Sequence, residues 1–517
     1  MHSTNRSNEA AWTRLVSNSK WNIAAFFVAM LANFFALPVV IHQIGIAQFG
    51  VVGILVGMLA PLMLVGSVIG QACVRDLSAQ LAQSRLEAAR RTFWSGMWLC
   101  VIGCAIVVFV VGAGGAFIAK HFLGGATMSF GALQYMCLIS VAGWCAQQFV
   151  SVLQAAITAM QSYRALAFLN AGTAIVSACC QMLATILWPR ADGLLAGTTA
   201  GLVISAIWSF FQARRHAPAF FPVTKPDHES VLRILSFSRW QGVGQFTGSI
   251  ALQTDRFVLG SISTLSILGQ FNVATRLQEV VYMGVLKITE VLFPHFAATA
   301  NRPVQESVQL LLASSWLTNA IAVAALAPLV PLSSSLICLW AGIDSVPTGG
   351  AIMRTLATAG LVGSGTNALL YFMLGQGHSE TLARTNIAHC LVVIVASTGL
   401  LLVLGPLAAG AGFLFANTLR LLFLIWHIPA MTGCKQGTLA IARTTQTPIL
   451  AGLIFAWAPW PTALTSVTSW PALAVAYAGF AGTAAIACML ASLAFIEPRS
   501  FLINFSAGLL RRFHKVR

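Results

Sequence analysis

The stretch RLVSNSKWN at residues 14–22 decides the fold, because a related stretch, RILSFSRWQ, lies at residues 233–241. Each copy opens a long apolar run. A second shared motif follows each copy, QFGV at 48–51 and QFNV at 270–273. Later matches keep the same order, since GLLAG at 193–197 corresponds to GPLAA at 405–409. The sequence therefore predicts two related halves in one chain.

The composition indicates a membrane protein. Hydrophobic residues occupy 58% of the 517 positions and charged residues only 8%, whereas an average soluble domain is about 25% charged. A helix that crosses a bilayer needs about 20 apolar residues. The sequence predicts an all-α polytopic membrane protein with about fourteen transmembrane helices, near 21–44, 48–72, 93–118, 130–158, 165–188, 192–213, 240–262, 267–295, 308–331, 347–374, 382–404, 408–429, 448–467 and 471–494.

The longest polar stretch between predicted spans separates the two halves. We predict an N-terminal six-helix lobe at 1–213, a cytoplasmic interlobe linker at 214–239 and a C-terminal six-helix lobe at 240–430. Two additional transmembrane helices and a basic cytoplasmic tail follow at 431–517. Two pseudo-symmetric lobes of this kind enclose a central cavity near the middle of the bilayer.

The basic residues set the expected orientation. With the N-terminus inside, 22 of the 29 Lys and Arg residues lie in cytoplasmic segments, and only Lys120 and Arg190 lie in outer loops. Because basic residues in short loops stay in the cytoplasm, we expect both termini there. The net charge of +16 is thus explained by topology, without a nucleic-acid partner. The eleven cysteines show no metal-ligand spacing, so we predict neither a metal nor a cofactor.

Predicted span 8 carries a charged face. Arg276, Glu279, Lys287 and Glu290 fall on one side of this helix, within about 80° of one another. A charge at the centre of a membrane helix costs on the order of 3 kcal/mol, so this face is expected to line a cavity. Salt bridges at three-residue spacing within the helix are the alternative.

Three further cations lie within or beside predicted spans. Arg354 and Arg420 have no acidic residue within four positions, which favours an anionic ligand, because a guanidinium binds phosphate or carboxylate oxygens in pairs. The alternative is that their side chains reach toward the lipid headgroups. Arg256 follows Asp255 near the outer end of span 7, where the two could form an interfacial pair.

The first half is polar without being charged. Span 4 presents a stripe of hydrogen-bonding side chains that includes Gln147 and Gln154, and span 1 adds Asn22 and Asn33. Amides suit sugar hydroxyls, although such residues also join helices to one another in bilayers. A charged face in one lobe and an amide face in the other would suit a ligand with phosphate at one end and sugar at the other.

The motifs quoted above, with LPVVIHQIGIAQFG at 37–50, TDRFVLG at 254–260 and LGQFNVATRLQ at 268–278, resemble the polysaccharide transporters of the O-antigen flippase type. This family lies within the multidrug/oligosaccharidyl-lipid/polysaccharide exporter superfamily. Fourteen spans also resemble exopolysaccharide exporters and lipid II flippases, but the arginine-rich opening expected of the latter is absent.

The resemblance implies a flippase that moves an undecaprenyl-diphosphate-linked oligosaccharide across the bacterial inner membrane for surface or exopolysaccharide biosynthesis. It implies alternating access of a cationic central cavity, to which Arg256 and Arg276 belong by motif. Lys287, Arg354 and Arg420 join them because they are expected to be buried. Asp255, Glu279 and Glu290 would support these cations. The expected partners are the lipid-linked glycan, the bilayer, a polysaccharide polymerase and glycosyltransferases. The protein is expected to function as a monomer.

Two other classes of protein were weighed. A cation-coupled multidrug or metabolite antiporter of the same fold is the alternative, but such antiporters usually need a membrane-embedded carboxylate in the first lobe. Predicted spans 1–6 contain no Asp or Glu apart from Asp192 at the outer edge of span 6. A polymerase or glycosyltransferase would need a sizeable outer loop with catalytic groups, and the predicted outer loops are short. We therefore do not expect an enzyme.

Overall fold

The structure is a computed structural model that describes residues 2–123, 128–290, 292, 296, 303–432 and 437–494. Side chains are described over the same ranges, apart from 2–20, 22–23, 82, 237, 239–241, 243–244, 304, 379, 431–432 and 437. In these ranges the chain is helical, with no strand, which confirms the predicted all-α class.

The helices follow one another with short connections. They are α1 (His2–Ile44), α2 (Ile46–Ala82), α3 (Leu86–Phe122), α4 (Phe130–Ala159), α5 (Tyr163–Leu187), α6 (Ala191–His216), α7 (His228–Ile262), α8 (Leu265–Glu290), α9 (Val304–Leu326), α10 (Ser333–Ala341), α11 (Val346–Gly375), α12 (Ser379–Leu404), α13 (Ala411–Thr432), α14 (Gly437–Ala456), α15 (Thr462–Thr465) and α16 (Trp470–Leu493). Single 3₁₀ turns lie at Pro218–Phe220, Ala327–Leu329, Ile343–Ser345 and Pro406–Ala408.

Eleven of the described helices are long and apolar enough to cross a membrane. They correspond to predicted spans 1–6, 9 and 11–14. Predicted spans 7, 8 and 10 are helices as well, within α7, α8 and α11, but these three lie outside that set of eleven. They are also the helices on which most of the predicted charged residues lie.

The chain divides into two compact units, Met1–Ser266 and Ile267–Arg517. In the first unit α2 packs against α3, α4 and α7, while α5 packs against α1 and α6. A continuous apolar core joins α2, α3 and α4, with Phe93 and Ile157 fully buried in it. Helix α7, which begins inside the predicted linker at His228, thus packs within the first unit. The division into two pseudo-symmetric lobes stays a prediction.

The segment between α6 and α7 is held against α3. Trp94 donates its indole N–H to the carbonyl oxygens of Phe220 and Pro222 at 3.0 and 3.1 Å. Asp227 caps α7, because its carboxylate accepts from the amide and the hydroxyl of Ser230 at 3.1 and 3.0 Å. The hydrogen bonds from the Ser230 hydroxyl and then from its amide lower the pKa of Asp227.

The second unit is built around α11, whose residues from Leu356 to Leu369 are buried without a break. Helices α9 and α13 pack against α11. The two helices of the predicted C-terminal pair, α14 and α16, pack against each other and against α9. Trp316 of α9 donates to the hydroxyl of Ser492 in α16 at 2.8 Å. These two helices are therefore an integral part of the second unit.

Candidate functional site

Two glycines of α11 allow polar side chains to approach the centre of the second unit. A Cβ atom at Gly360 would lie 2.8 Å from Nε2 of Gln278, and one at Gly363 would lie 2.8 Å from Nδ2 of Asn417. Separations below about 3.0 Å are not tolerated between real side-chain atoms, so any larger residue would displace these amides. Because glycine has no Cβ, these two positions leave room for the side chains of α8 and α13 that contact α11.

Arg420 of α13 points toward α11. Its Nη2 atom donates to the hydroxyl of Thr366 at 2.8 Å, and that hydroxyl donates in turn to the carbonyl of Gly363 at 2.8 Å. The side chain is half-buried, and its Nε atom is fully shielded without an acceptor among the described residues. No carboxylate in the described part of the chain pairs with Arg420. It is a membrane cation whose charge no carboxylate of the described residues neutralises.

Neutral groups complete this site. Nε2 of His389 lies 2.9 Å from Oδ1 of Asn417, and Nδ2 of Asn417 donates to the carbonyl of Ala359 at 2.9 Å. Because Oδ1 must then accept, His389 carries its proton on Nε2. Tyr282 of α8 donates to Oδ1 of Asn367 at 3.3 Å, and Nδ2 of Asn367 is buried without an acceptor among the described residues.

We call these six residues the polar centre: Tyr282, Thr366, Asn367, His389, Asn417 and Arg420. Two of its donors, Nε of Arg420 and Nδ2 of Asn367, lack an acceptor from the described residues. A buried donor without an acceptor costs about 1–3 kcal/mol. The polar centre therefore has a surplus of donors and a positive charge, which together suit an anion with several oxygen atoms.

The charged face of α8 forms pairs within the helix. Arg276 binds Glu279 at 3.3 Å and Lys287 binds Glu290 at 2.8 Å, as the alternative interpretation predicted. All four side chains remain accessible, with exposed fractions from 42% to 54%. Tyr282 lies about 100° around α8 from the middle of this charged face and belongs to the polar centre. The helix thus has two polar faces, one accessible and one packed on α11.

The other two predicted cations differ from Arg420. Arg354 is exposed, and its Nε donates to the carbonyl of Gly350 in its own helix at 3.4 Å. Arg256 is buried in the first unit, where its Nη1 donates to Oε1 of Gln253 and its side chain packs against Gly57 of α2. Asp255 is buried beside it, 1% exposed. The structure therefore does not gather Arg256 and Arg420 within one unit.

The predicted sugar-contact residues lie in the first unit. Asn33 is exposed and donates to the carbonyl of Ala29 at 2.9 Å. Gln154 donates to Asn170 of α5 at 2.8 Å, so it joins two helices, and Gln147 is half-buried. The side chain of Asn22 lies outside the described residues.

Two apolar cavities also lie in the first unit, with volumes of about 680 and 290 Å³. Pro61 of α2 and Phe246 of α7 line both of them. The larger cavity extends along α7 past Leu232 and Leu235. Asn33, Gln147 and Gln154, the predicted sugar-contact residues whose side chains are described, line neither cavity.

Sequence reasoning found Arg420, but it missed Tyr282, Thr366, Asn367 and His389. A single histidine or threonine in an apolar span is too common a feature to single out. The glycines at 360, 363 and 365 in one helix were a usable signal, since closely spaced small residues mark places where membrane helices approach one another.

Comparison with known proteins agrees with the motifs. A family model described as polysaccharide biosynthesis protein matches residues 15–300, more than half of the chain. The chain belongs to this family. The family predicted from the motifs is thereby confirmed, and family and fold neighbours are transporters. No curated protein matches the chain in sequence.

Solved structures share the fold of this polysaccharide biosynthesis protein. The lipid II flippase MurJ in an inward closed conformation superimposes with a TM-score of 0.69 at 11% identity, over 89% of this chain and 98% of that one. An inward-facing multidrug resistance transporter of the MATE family gives 0.67 at 14% identity, over 81% and 96%. A MOP superfamily transporter from Pyrococcus furiosus gives 0.56 at 13% identity, over 84% and 95%. At these identities the likeness establishes the fold alone.

Proposed function

We propose that this protein is a flippase that carries an undecaprenyl-diphosphate-linked oligosaccharide across the bacterial inner membrane. The observation that carries the proposal is Arg420, a membrane cation with no carboxylate partner among the described residues and with a shielded, unused donor. The ligand of such a site must bring negative charge and several acceptor oxygens. A diphosphate meets both requirements, and membership of a polysaccharide biosynthesis family supports a lipid-linked glycan as its bearer.

The polar centre would hold the diphosphate with its own residues. Arg420 offers Nε and Nη donors in one plane, which suits two oxygens of one phosphate. Nδ2 of Asn367 and Nε2 of His389 are further donors, and His389 could release Asn417 to reach the ligand. Each donor that finds an oxygen removes the cost of an unmade hydrogen bond. The site thus favours the bound state without forming any covalent bond.

Lys287 and Arg276 would act differently in this mechanism. Each already has a glutamate three positions away and about half of its side chain exposed, so it can exchange that glutamate for a phosphate at little cost. We propose that these exposed pairs guide an anion while Arg420 selects it. Alternating access between two lobes then moves the bound head group, and glycosyltransferases and a polymerase act on either side of the membrane.

The experiment is a flipping assay in proteoliposomes that contain a fluorescent undecaprenyl-diphosphate oligosaccharide. Accessibility of the glycan to an added glycosidase reports its leaflet. We expect Arg420→Ala to reduce flipping at least tenfold. Arg190→Ala is the matched control, because Arg190 lies just before α6, is 67% exposed and pairs with Asp192. Equal flipping by wild type and Arg420→Ala would refute the assignment.

A cation-coupled multidrug antiporter is the second candidate, and the fold likeness to a MATE transporter favours it. The same proteoliposomes test it by uptake of a cationic dye under a proton or sodium gradient. A site with a net positive charge repels such a dye, so we expect no gradient-driven uptake. Uptake of the dye without flipping of the glycan would favour the antiporter.

A further inference from the structure

An open groove between α12 and α13 reaches the polar centre. Its volume is about 360 Å³. Along α12 the lining residues run from Thr381 to Val392 at steps of three and four, a length of about 16 Å. The small side chains of Ala388 and Ala416 leave room for the groove, and Arg420 and His389 lie among its lining residues.

The groove is lined mainly by apolar side chains, with Arg384 toward one end. Leu419 and Phe423 of α13 form one wall, with exposed fractions of 43% and 40%. Arg384, at the end of α12 nearest its first turn, lines the opposite end from Val392. Large apolar side chains that remain exposed flank the groove, including Leu391 and Trp426. In a bilayer, such a surface contacts lipid hydrocarbon chains rather than water.

We propose that this groove seats the first isoprenoid units of the lipid carrier, so that the diphosphate reaches Arg420 from the bilayer along α12 and α13. The inference rests on the proposed function and names where the lipid part of the substrate lies. A phosphate carried by a hydrocarbon chain fits the order of features in the groove, an apolar wall next to an uncompensated cation. A free sugar phosphate would leave the wall formed by Leu419 and Phe423 uncovered.

The test is a binding measurement on the purified full chain in nanodiscs, with farnesyl diphosphate, inorganic diphosphate and farnesol as probes. Burial of several methyl and methylene groups should make farnesyl diphosphate bind at least about tenfold more tightly than inorganic diphosphate. Ala388→Phe fills the groove and should remove that difference while it leaves the affinity for inorganic diphosphate unchanged. Ala388 is exposed, so the larger side chain does not enter the core.

Two further variants keep the test decisive. Val395→Phe adds the same ring to α12 at a position that is 72% exposed and outside the groove, and it should bind both probes as wild type does. Phe423→Ala removes part of one wall and should weaken farnesyl diphosphate by about threefold without affecting inorganic diphosphate.

The possible failures are distinguishable. If wild type binds inorganic diphosphate through Arg420 but binds farnesyl diphosphate no more tightly, the groove proposal is overturned and the proposed function stands. If phosphatidylglycerol displaces farnesyl diphosphate at equal concentration, the groove is a general lipid surface and the proposal is likewise overturned. If neither diphosphate binds and wild type flips no glycan, the proposed function itself is wrong.

Discussion

Replacing Arg420 by methionine should leave the protein at least as stable while it abolishes transport. Methionine has a similar length and no charge, so it fills the space of the arginine side chain with little strain. The hydroxyl of Thr366 loses its contact with Nη2 but keeps its own bond to the carbonyl of Gly363 at 2.8 Å. The substitution therefore creates no new unsatisfied group at Thr366.

The magnitude follows from two opposing terms. The lost hydrogen bond contributes about 0.6–1.5 kcal/mol, the range found for side-chain bonds in bilayers and in soluble proteins. Removal of the charge from a membrane helix relieves on the order of 3 kcal/mol. We expect a net stabilisation of up to about 2 kcal/mol. Arg256→Met is the contrasting variant, because Arg256 is buried, 7% exposed, and donates to Gln253, so its loss should destabilise the first unit by about 2 kcal/mol.

Thermal unfolding of purified protein in detergent, followed by tryptophan fluorescence, ranks the three proteins. The expected order of melting temperatures is Arg420→Met, then wild type, then Arg256→Met. Addition of farnesyl diphosphate at a hundred times its dissociation constant should stabilise wild type by about 2.7 kcal/mol and have no effect on Arg420→Met. If Arg420→Met melts as early as Arg256→Met, Arg420 is a structural residue and the reasoning from its unused donor is refuted.

Three further outcomes follow from particular residues. Gly363→Ala should reduce diphosphate binding at least about tenfold, because its Cβ displaces the amide of Asn417. Gly399→Ala, whose Cβ meets no atom within 4 Å, should leave binding unchanged. Equal affinities of the two variants for diphosphate would contradict the proposed packing. Lys287→Ala should slow glycan export at normal protein abundance, and Arg75→Ala should matter less, as an export assay with immunoblotting will show; equal export by the two variants would contradict the guiding role of Lys287. Asp227 has a lowered pKa, so its cap on α7 is fully present above about pH 4 and is lost as the pH falls through the folded-state pKa. Amide hydrogen exchange in the first turn of α7 should therefore become faster only below about pH 4. Faster exchange near pH 7 would contradict the capping role of Asp227.

The sequence predicted the helices well because a bilayer imposes one requirement on every span. Apolar runs of about 20 residues identified most of the helices described here, whereas the two related halves indicated by the motifs at Arg14 and Arg233 stay a prediction. The polar helices were found as well, although α7, α8 and α11 fall short of the apolar character of the rest. Part of their polarity comes from residues that contact other helices, such as Tyr282 and Asn367, and part from the accessible charges of α8.

The site was predicted less completely, because its geometry depends on which helices meet. Arg420 was recognisable from sequence, since no carboxylate lies within four positions of it. Its contact with Thr366 depends on the packing of α13 against α11, which no local pattern specifies. The four charges of span 8 were placed correctly on one face, yet the choice between a cavity lining and internal pairs depended on side-chain distances. The structure shows the pairs, and the exposure of these charges leaves the predicted cavity role as a proposal.

The difference between Arg420 and the paired cations of α8 gives the polar centre its selectivity in the proposed mechanism. A cation with a glutamate three residues away exchanges one anion for another, so the net gain on binding a ligand is small. Arg420 has no such competitor among the described residues, and every oxygen that reaches it replaces an unmade bond. Because the same uncompensated charge raises the free energy of the unliganded protein, it favours a ligand that neutralises the charge and disfavours a neutral or cationic one. We therefore expect an anion to bind Arg420 during part of the transport cycle.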